Sequence, residues 1–161
     1  VARHAGVSRA TVYRYFPGGK GQLLRDTVSW EAARFLGELA AATAGAPDFA
    51  SQLEEALVFA HRALGEHRVL QAMLLSEPET IVTSLTVGGD RLVRLLMAWL
   101  GPRVAAAPLR LGLSADAAGE YLARMMLSFI GAPGGWDLTD REQVGELVRT
   151  EFLAGVLVAR D

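Results

Sequence analysis

Hydrophobic positions recur at helical spacing along most of the chain, and no segment between turn signals alternates convincingly with a period of two. The pattern predicts an all-α protein of eight or nine helices and no strands. Residues 1–16, Val-Ala-Arg-His-Ala-Gly-Val-Ser-Arg-Ala-Thr-Val-Tyr-Arg-Tyr-Phe, read as a helix, a tight turn at Gly6 and a second helix. Ser8 is a good N-cap for that second helix, which is expected from Arg9 to about Phe16. Pro17-Gly18-Gly19 stops it. A long helix follows from about Lys20 to Thr43, with Leu24, Val28, Ala32, Phe35, Leu36 and Leu39 on one stripe.

Beyond the loop Ala44-Gly45-Ala46-Pro47, Asp48 caps a helix to about Leu64, and another is expected from Arg68 to Leu75. Ser76 and Glu79 form a capping box around Pro78, opening a short helix that Gly88-Gly89 should break. Asp90 to about Val104 is apolar and helical, and Ala107–Leu113 is a connection. Ser114 caps a helix to about Ile130, which Gly131-Ala132-Pro133-Gly134-Gly135 ends. Thr139 and Glu142 make a second capping box for a last helix to about Ala159.

At 161 residues, 51% apolar and 21% charged, the chain has the composition of an ordinary globular protein with one core, or one core and a small satellite module. No apolar run reaches the ~18 residues a membrane helix needs, and Val1–Arg3 leads straight into a structured motif, so neither a span nor a signal peptide is expected. Cysteine is absent, which excludes disulfides and thiolate chemistry and makes a cytoplasmic location the expectation.

Charge changes the picture. The net value of −2 conceals a basic end on an acidic body. Arg3, Arg9, Arg14, Lys20 and Arg25 face no acid within residues 1–25, whereas the remainder carries eleven basic and eighteen acidic side chains. That is the distribution of a small polyanion-binding module attached to a separate scaffold.

A helix-turn-helix needs a tight turn, small residues where its helices cross, and a second helix with a polar outer face for the DNA major groove. Ala2, Ala5 and Val7 supply inner packing on one side, and Ala10, Val12 and Phe16 on the other. Arg9, Thr11, Tyr13, Arg14 and Tyr15 remain for DNA. Arginine can fork to guanine O6 and N7, while Thr and Tyr hydroxyls suit phosphate oxygens.

Ala5-Gly6-Val7-Ser8, Thr11-Val12-Tyr13, Tyr15-Phe16, Lys20 and Leu23-Leu24 resemble the TetR family of bacterial regulators, in a dozen positions taken in order. The resemblance covers only the first two dozen residues. It implies that Ser8, Arg9, Ala10, Thr11, Tyr13, Arg14, Tyr15 and Lys20 form the DNA interface. Arg9 and Ala10 would meet base edges, Thr11, Tyr13 and Tyr15 phosphate or sugar, and Lys20 a phosphate near a helix start. The chain departs from the family pattern by one extra residue between Phe16 and Lys20. It also starts within the motif's first helix, so the helix-turn-helix is N-terminally incomplete and the family's preceding helix does not appear in the sequence.

The resemblance further implies two domains. Residues 1–43 would hold the partial DNA-binding module with its connecting helix, and residues 44–161 a larger helical domain that binds a small molecule and dimerises. Candidate pocket residues are Trp30, Phe59, Met73, Met97, Trp99, Met125, Met126 and Phe129, with Phe35 and Leu74, because Met and aromatic side chains adapt to varied apolar ligands. His61, Arg94, Tyr121 and Arg124 are possible polar contacts. Candidate dimer residues are Gly119, Leu122, Val144, Leu147, Val148, Phe152 and Val156 on the last two long helices, where Gly119, Gly145 and Gly155 each cost about 1 kcal/mol of helix propensity. Close approach of a second chain would offset that cost.

The expected partners are therefore a pseudo-palindromic duplex DNA operator, a small apolar or amphipathic effector and a second copy of the chain. Ordinary core packing explains the same Met and aromatic residues without any ligand. The alternative function is a helical dimeric module that binds a ligand or a protein but not DNA in this form. An enzyme is not expected. His4, His61 and His67 have no metal-ligand spacing, no catalytic or nucleotide-binding motif occurs, and Gly18-Gly19-Lys20-Gly21 lacks the strand a phosphate loop would follow. No cofactor or metal is called for.

Overall fold

The computed structural model describes residues 6–68, 71, 75 and 78–158. Regular structure among them is helical, apart from a single antiparallel bridge between Leu109 and Leu157. The chain divides into two compact units, Val1–Glu38 and Leu39–Asp161. The division falls inside a helix rather than at the loop after Thr43.

In the first unit, α1 spans Arg9–Tyr15. Extended Ser8 starts it by accepting the Thr11 N–H at 3.0 Å, one of the donors a helix start leaves unpaired. Gly6 and Gly19 adopt φ of +67° and +64°, a region open to glycine at little cost, and so make the turns on either side. The second helix, α2, spans Gly19–Thr43. The Gly18 N–H ahead of it donates to Gln22 Oε1 at 2.8 Å. Along its expected apolar stripe Ala32, Phe35 and Leu36 are half-buried and Leu39 is fully buried, while the side chains of Leu24 and Val28 lie outside the description.

The second unit contains the core. Helix α3, Phe49–Glu66, is capped by Asp48 and buries Leu53, Ala56, Leu57 and Ala60 along one face. Helix α4 spans Pro78–Ala105 and α5 spans Ala115–Gly131, capped by Ser114. These two form the most extensive helix pair, and α3 packs on α5 and on the C-terminal helices. Buried Thr43 is satisfied by donating to the Leu39 carbonyl at 3.0 Å.

Three expectations are corrected. Gly88-Gly89 does not break the chain, because α4 runs through both glycines. Each costs about 1 kcal/mol against alanine. The following turns bury Val93, Leu96, Leu100 and Val104 on a stripe that requires the helix to continue. Secondly, the last capping box is displaced by one residue. Asp140, not Thr139, accepts the Glu142 and Gln143 N–H groups and starts α6, Arg141–Leu147, while Thr139 donates to Asp137 instead. These donors hold the Asp137 and Asp140 carboxyls below the usual carboxylate range, that of Asp137 through Thr139 and that of Asp140 through Gln143 and Glu142.

Finally, the last helix ends at Leu153, well before Ala159. After α6 it widens into a π-helical turn, Val148–Leu153, whose Glu151 carbonyl accepts the Tyr121 hydroxyl at 2.7 Å. The chain then turns at Ala154–Val156 and its end pairs with the loop after α4. Arg110 N–H donates to Val156 O and Val158 N–H to Pro108 O, both at 3.0 Å. Backbone groups that a longer helix would have used internally are used across this pairing. The expected helix 68–75 and the Ser76–Glu79 box fall largely outside the described residues.

Candidate nucleic-acid interface

Helix α1 buries no residue. Thr11, Val12 and Phe16 are half-buried on its inner side, and Arg9, Ala10, Tyr13, Arg14 and Tyr15 are exposed. Three placements differ from the sequence reading. Val7 and Ala10, expected as inner packing, are exposed, which for Ala10 agrees with the place the resemblance implied, and Thr11, expected on the DNA face, turns partly inward. The Thr11 hydroxyl lies 2.9 Å from Ser8 Oγ, so both hydroxyls are engaged in starting the helix. The geometry gives both residues a positional role, orienting α1 through its first turn.

The exposed face is cationic and aromatic. The Arg14 guanidinium sits 5.3 Å from the centroid of the Tyr15 ring, while Tyr13 and Tyr15 remain 63% and 67% exposed. Side chains held this way present one fork-shaped cation at the helix start and hydroxyls farther along, which suits a base edge flanked by phosphates. On the other side of Tyr13, its ring approaches Gly19 closely enough that an added Cβ there would lie 3.9 Å away, in ordinary contact. Gly19 is therefore held by its positive φ rather than by crowding. It is one of the residues that lengthen the turn before Lys20, whose side chain lies outside the description, as do His4 and the rest of residues 1–5.

Residues 1–27 match the family model of bacterial regulatory proteins, tetR family. The N-terminal segment is thus similar to the DNA-binding segment of TetR-family regulators. The match supports a DNA-binding transcriptional regulator, and α1 lies wholly within the matched residues. Comparison with curated proteins and with solved structures found no match.

Outside the TetR-family segment, the residues singled out for a ligand pocket are dispersed. Trp30 belongs to the first unit and is 63% exposed, with Arg34 over its ring at 5.7 Å. Met126 and Trp99 are buried, whereas Phe59, Met97, Met125 and Phe129 are half-buried. Met73 and Leu74 lie outside the described residues. Phe129 packs its ring against Phe152, with centroids 5.6 Å apart. Of the polar candidates, Arg124 pairs with Glu120 at 2.7 Å and Tyr121 caps the π-helical turn. Burial pushes the Tyr121 hydroxyl above its ordinary pKa, with the nearby Glu151 carboxylate adding to it.

The candidate dimer residues lie in the chain's own core. Leu122, Val144, Leu147, Val148 and Phe152 are at most 1% exposed and Val156 is 2% exposed. A seam built from these side chains would have to open the protomer. Gly119 is buried yet has no atom within 4 Å of an added Cβ, whereas Gly145 meets the ends of Arg149 and Glu54. Among the interior glycines, Gly145 thus serves packing of α6 beside α3.

The second unit also contains a cavity that none of the described candidate pocket residues lines. Its volume is about 730 Å³, within the range usual for small-molecule sites, and its walls include Phe49, Pro102, Arg103, Pro108 and Leu157. Sequence reading missed it because three segments far apart in the chain build it. One signal was visible, a proline and an arginine in the last turn of an apolar helix, four residues beyond a tryptophan. No helix among the described residues is long and apolar enough to cross a membrane.

Proposed function

We propose that the protein is a ligand-responsive repressor, acting as a homodimer on a pseudo-palindromic operator and released by a small apolar or amphipathic effector. The observation that supports it best is the exposed face of α1, where Arg9, Tyr13, Arg14 and Tyr15 project from a helix that buries nothing. A helix with so little packing of its own is understandable if its outer side chains work on a partner. Arg9 reads a base edge, Tyr13, Tyr15 and Lys20 hold the backbone, and Ser8 and Thr11 set the helix start. Two copies supply recognition helices to two half-sites, and the outward faces of α5 and α6 make the dimer contact. The larger unit binds the effector, which shifts the spacing of the two motifs only as far as it prefers one conformer over the other.

The test is a titration of the protein against its operator and against unrelated duplex DNA at several salt concentrations. Affinity should fall steeply with salt as counterions are released, with a measurable preference for the operator. Affinity that does not change between low and moderate salt would reject DNA binding through this face.

A further inference from the structure

The cavity of the second unit contains a cation, Arg103, that forms no ion pair with a described carboxylate. Arg103 extends from the last turn of α4, where Pro102 removes a backbone donor, and its Nη1 donates to the Trp99 carbonyl at 2.6 Å. Its guanidinium stacks on the Trp99 indole at 4.2 Å from the centroid. Two buried donors at this contact, Arg103 Nε and Trp99 Nε1, have no acceptor among the described residues. Nor does any described carboxylate pair with Arg103. Partial burial pushes its pKa below the usual arginine range, with no carboxylate raising it in return. The half-buried guanidinium thus keeps a buried Nε–H without an acceptor, a cost that an incoming anion would reduce.

The rest of the cavity wall is mainly apolar. Phe49, Pro102, Pro108, Leu157 and Val158 line it, and Asp48, the acidic residue beside them, accepts the Ser51 N–H at the start of α3. We propose that this cavity is an effector site and that it takes an anionic amphiphile, a small molecule whose carboxylate binds Arg103 and whose apolar body lies against Phe49, Pro108 and Leu157. This rests on the reading of the larger unit as an effector domain and adds the chemical class and the residue that recognises it. The guanidinium fork matches a carboxylate in two parallel hydrogen bonds, and the stack on Trp99 holds the fork in place before the ligand arrives. A carboxylate arriving at the stacked guanidinium also changes the surroundings of the Trp99 indole, so that binding has an optical signal.

The experiment compares decanoate, decan-1-ol and decylamine, which share a chain and differ in the head group, by calorimetry and tryptophan fluorescence on the whole protein. Decanoate should bind roughly ten- to a hundredfold more tightly than decanol, the difference expected for hydrogen bonds to a charged group. Arg103→Gln should narrow that difference to about twofold or less, and Arg103→Lys should retain much of it. Ala106→Trp, on the cavity wall, should weaken decanoate and decanol alike. If Arg103→Gln fails to fold, the lysine and tryptophan variants decide the matter. Equal binding of decanoate and decanol would overturn the anionic class while leaving an effector domain in place. Tightest binding of decylamine would overturn it in favour of Asp48. Decanoate binding unaffected by Ala106→Trp would place the ligand elsewhere and reject the cavity. Failure of all three probes would reject the site, whereas the effector reading falls only if no small molecule changes operator binding.

Discussion

In the N-terminal unit Tyr13, Tyr15 and Trp30 stand more than half exposed, whereas in the larger unit Phe152 is fully buried and Trp99 nearly so. The charges of the matched segment differ in the same way, although Arg34 farther along the unit pairs with Glu31 and Glu38. Basic residues of the matched segment face no acid within residues 1–25, while Arg124 and Arg141 in the larger unit are paired with Glu120 and Glu55. Aromatic side chains that bury themselves contribute apolar area to folding, and those left outside contribute nothing until a partner covers them. The contrast separates side chains that hold the fold together from side chains that do not.

The sharpest way to break that contrast is to truncate one residue of each kind. Phe152→Ala removes a fully buried ring and its partner contact with Phe129 and should cost about 3–5 kcal/mol of stability in urea unfolding. A loss below about 1 kcal/mol would mean that the C-terminal turn does not belong to the core. The same burial implies that Phe152→Glu reports on folding before it reports on association.

Arg9→Ala should behave in the opposite manner. Operator binding should weaken by about 1–3 kcal/mol, with relaxed preference at one base pair, and the melting temperature should not move. Binding to operator variants that keeps its full discrimination would remove Arg9 from the reading face.

Gly119→Ala sharpens the comparison within the larger unit. An added Cβ meets nothing within 4 Å, so the substitution should stabilise the protein by up to about 1 kcal/mol through helix propensity. Should Gly119 seat a second copy of the chain, light scattering would instead show a weakened dimer.

The smallest effect belongs to the Arg141–Glu55 pair, which joins α6 to α3 at the surface. Its hydrogen bond from Arg141 lowers the Glu55 pKa below the ordinary glutamate value. The contribution is therefore present above that ordinary value and is lost as pH falls through the lowered one. Arg141→Ala should cost less than about 1 kcal/mol at neutral pH, given how exposed the pair is, and nothing in acid. Denaturant midpoints at the two pH values test this.

The features legible in the sequence were those decided within a few residues. Ser8, Asp48 and Ser114 cap the helices assigned to them, because a cap is a hydrogen bond to a backbone group three residues on. The helix-turn-helix signature was equally local, since glycine turns and an outward polar face can be read in one pass. The Thr139 box failed by one position, because Asp137 competed for the threonine through an equally short-range bond.

What the amino-acid sequence determined alone was thus the helical class, most of the caps and the segment that matches the tetR family model, all consequences of local pattern and short-range hydrogen bonding. Only the tertiary structure decided whether an apolar stripe was closed by its own chain. Val144, Leu147 and Phe152 look the same in sequence whether they meet a partner protomer or the protomer's own core. Tertiary packing also carried α4 through Gly88-Gly89, since the burial of Val93, Leu96 and Leu100 outweighs the propensity cost of two glycines. The cavity at Arg103 belongs to the same class of fact. Its walls come from the start of α3, the end of α4 and the returning C-terminal strand of chain, and no local rule relates three segments that meet only after folding.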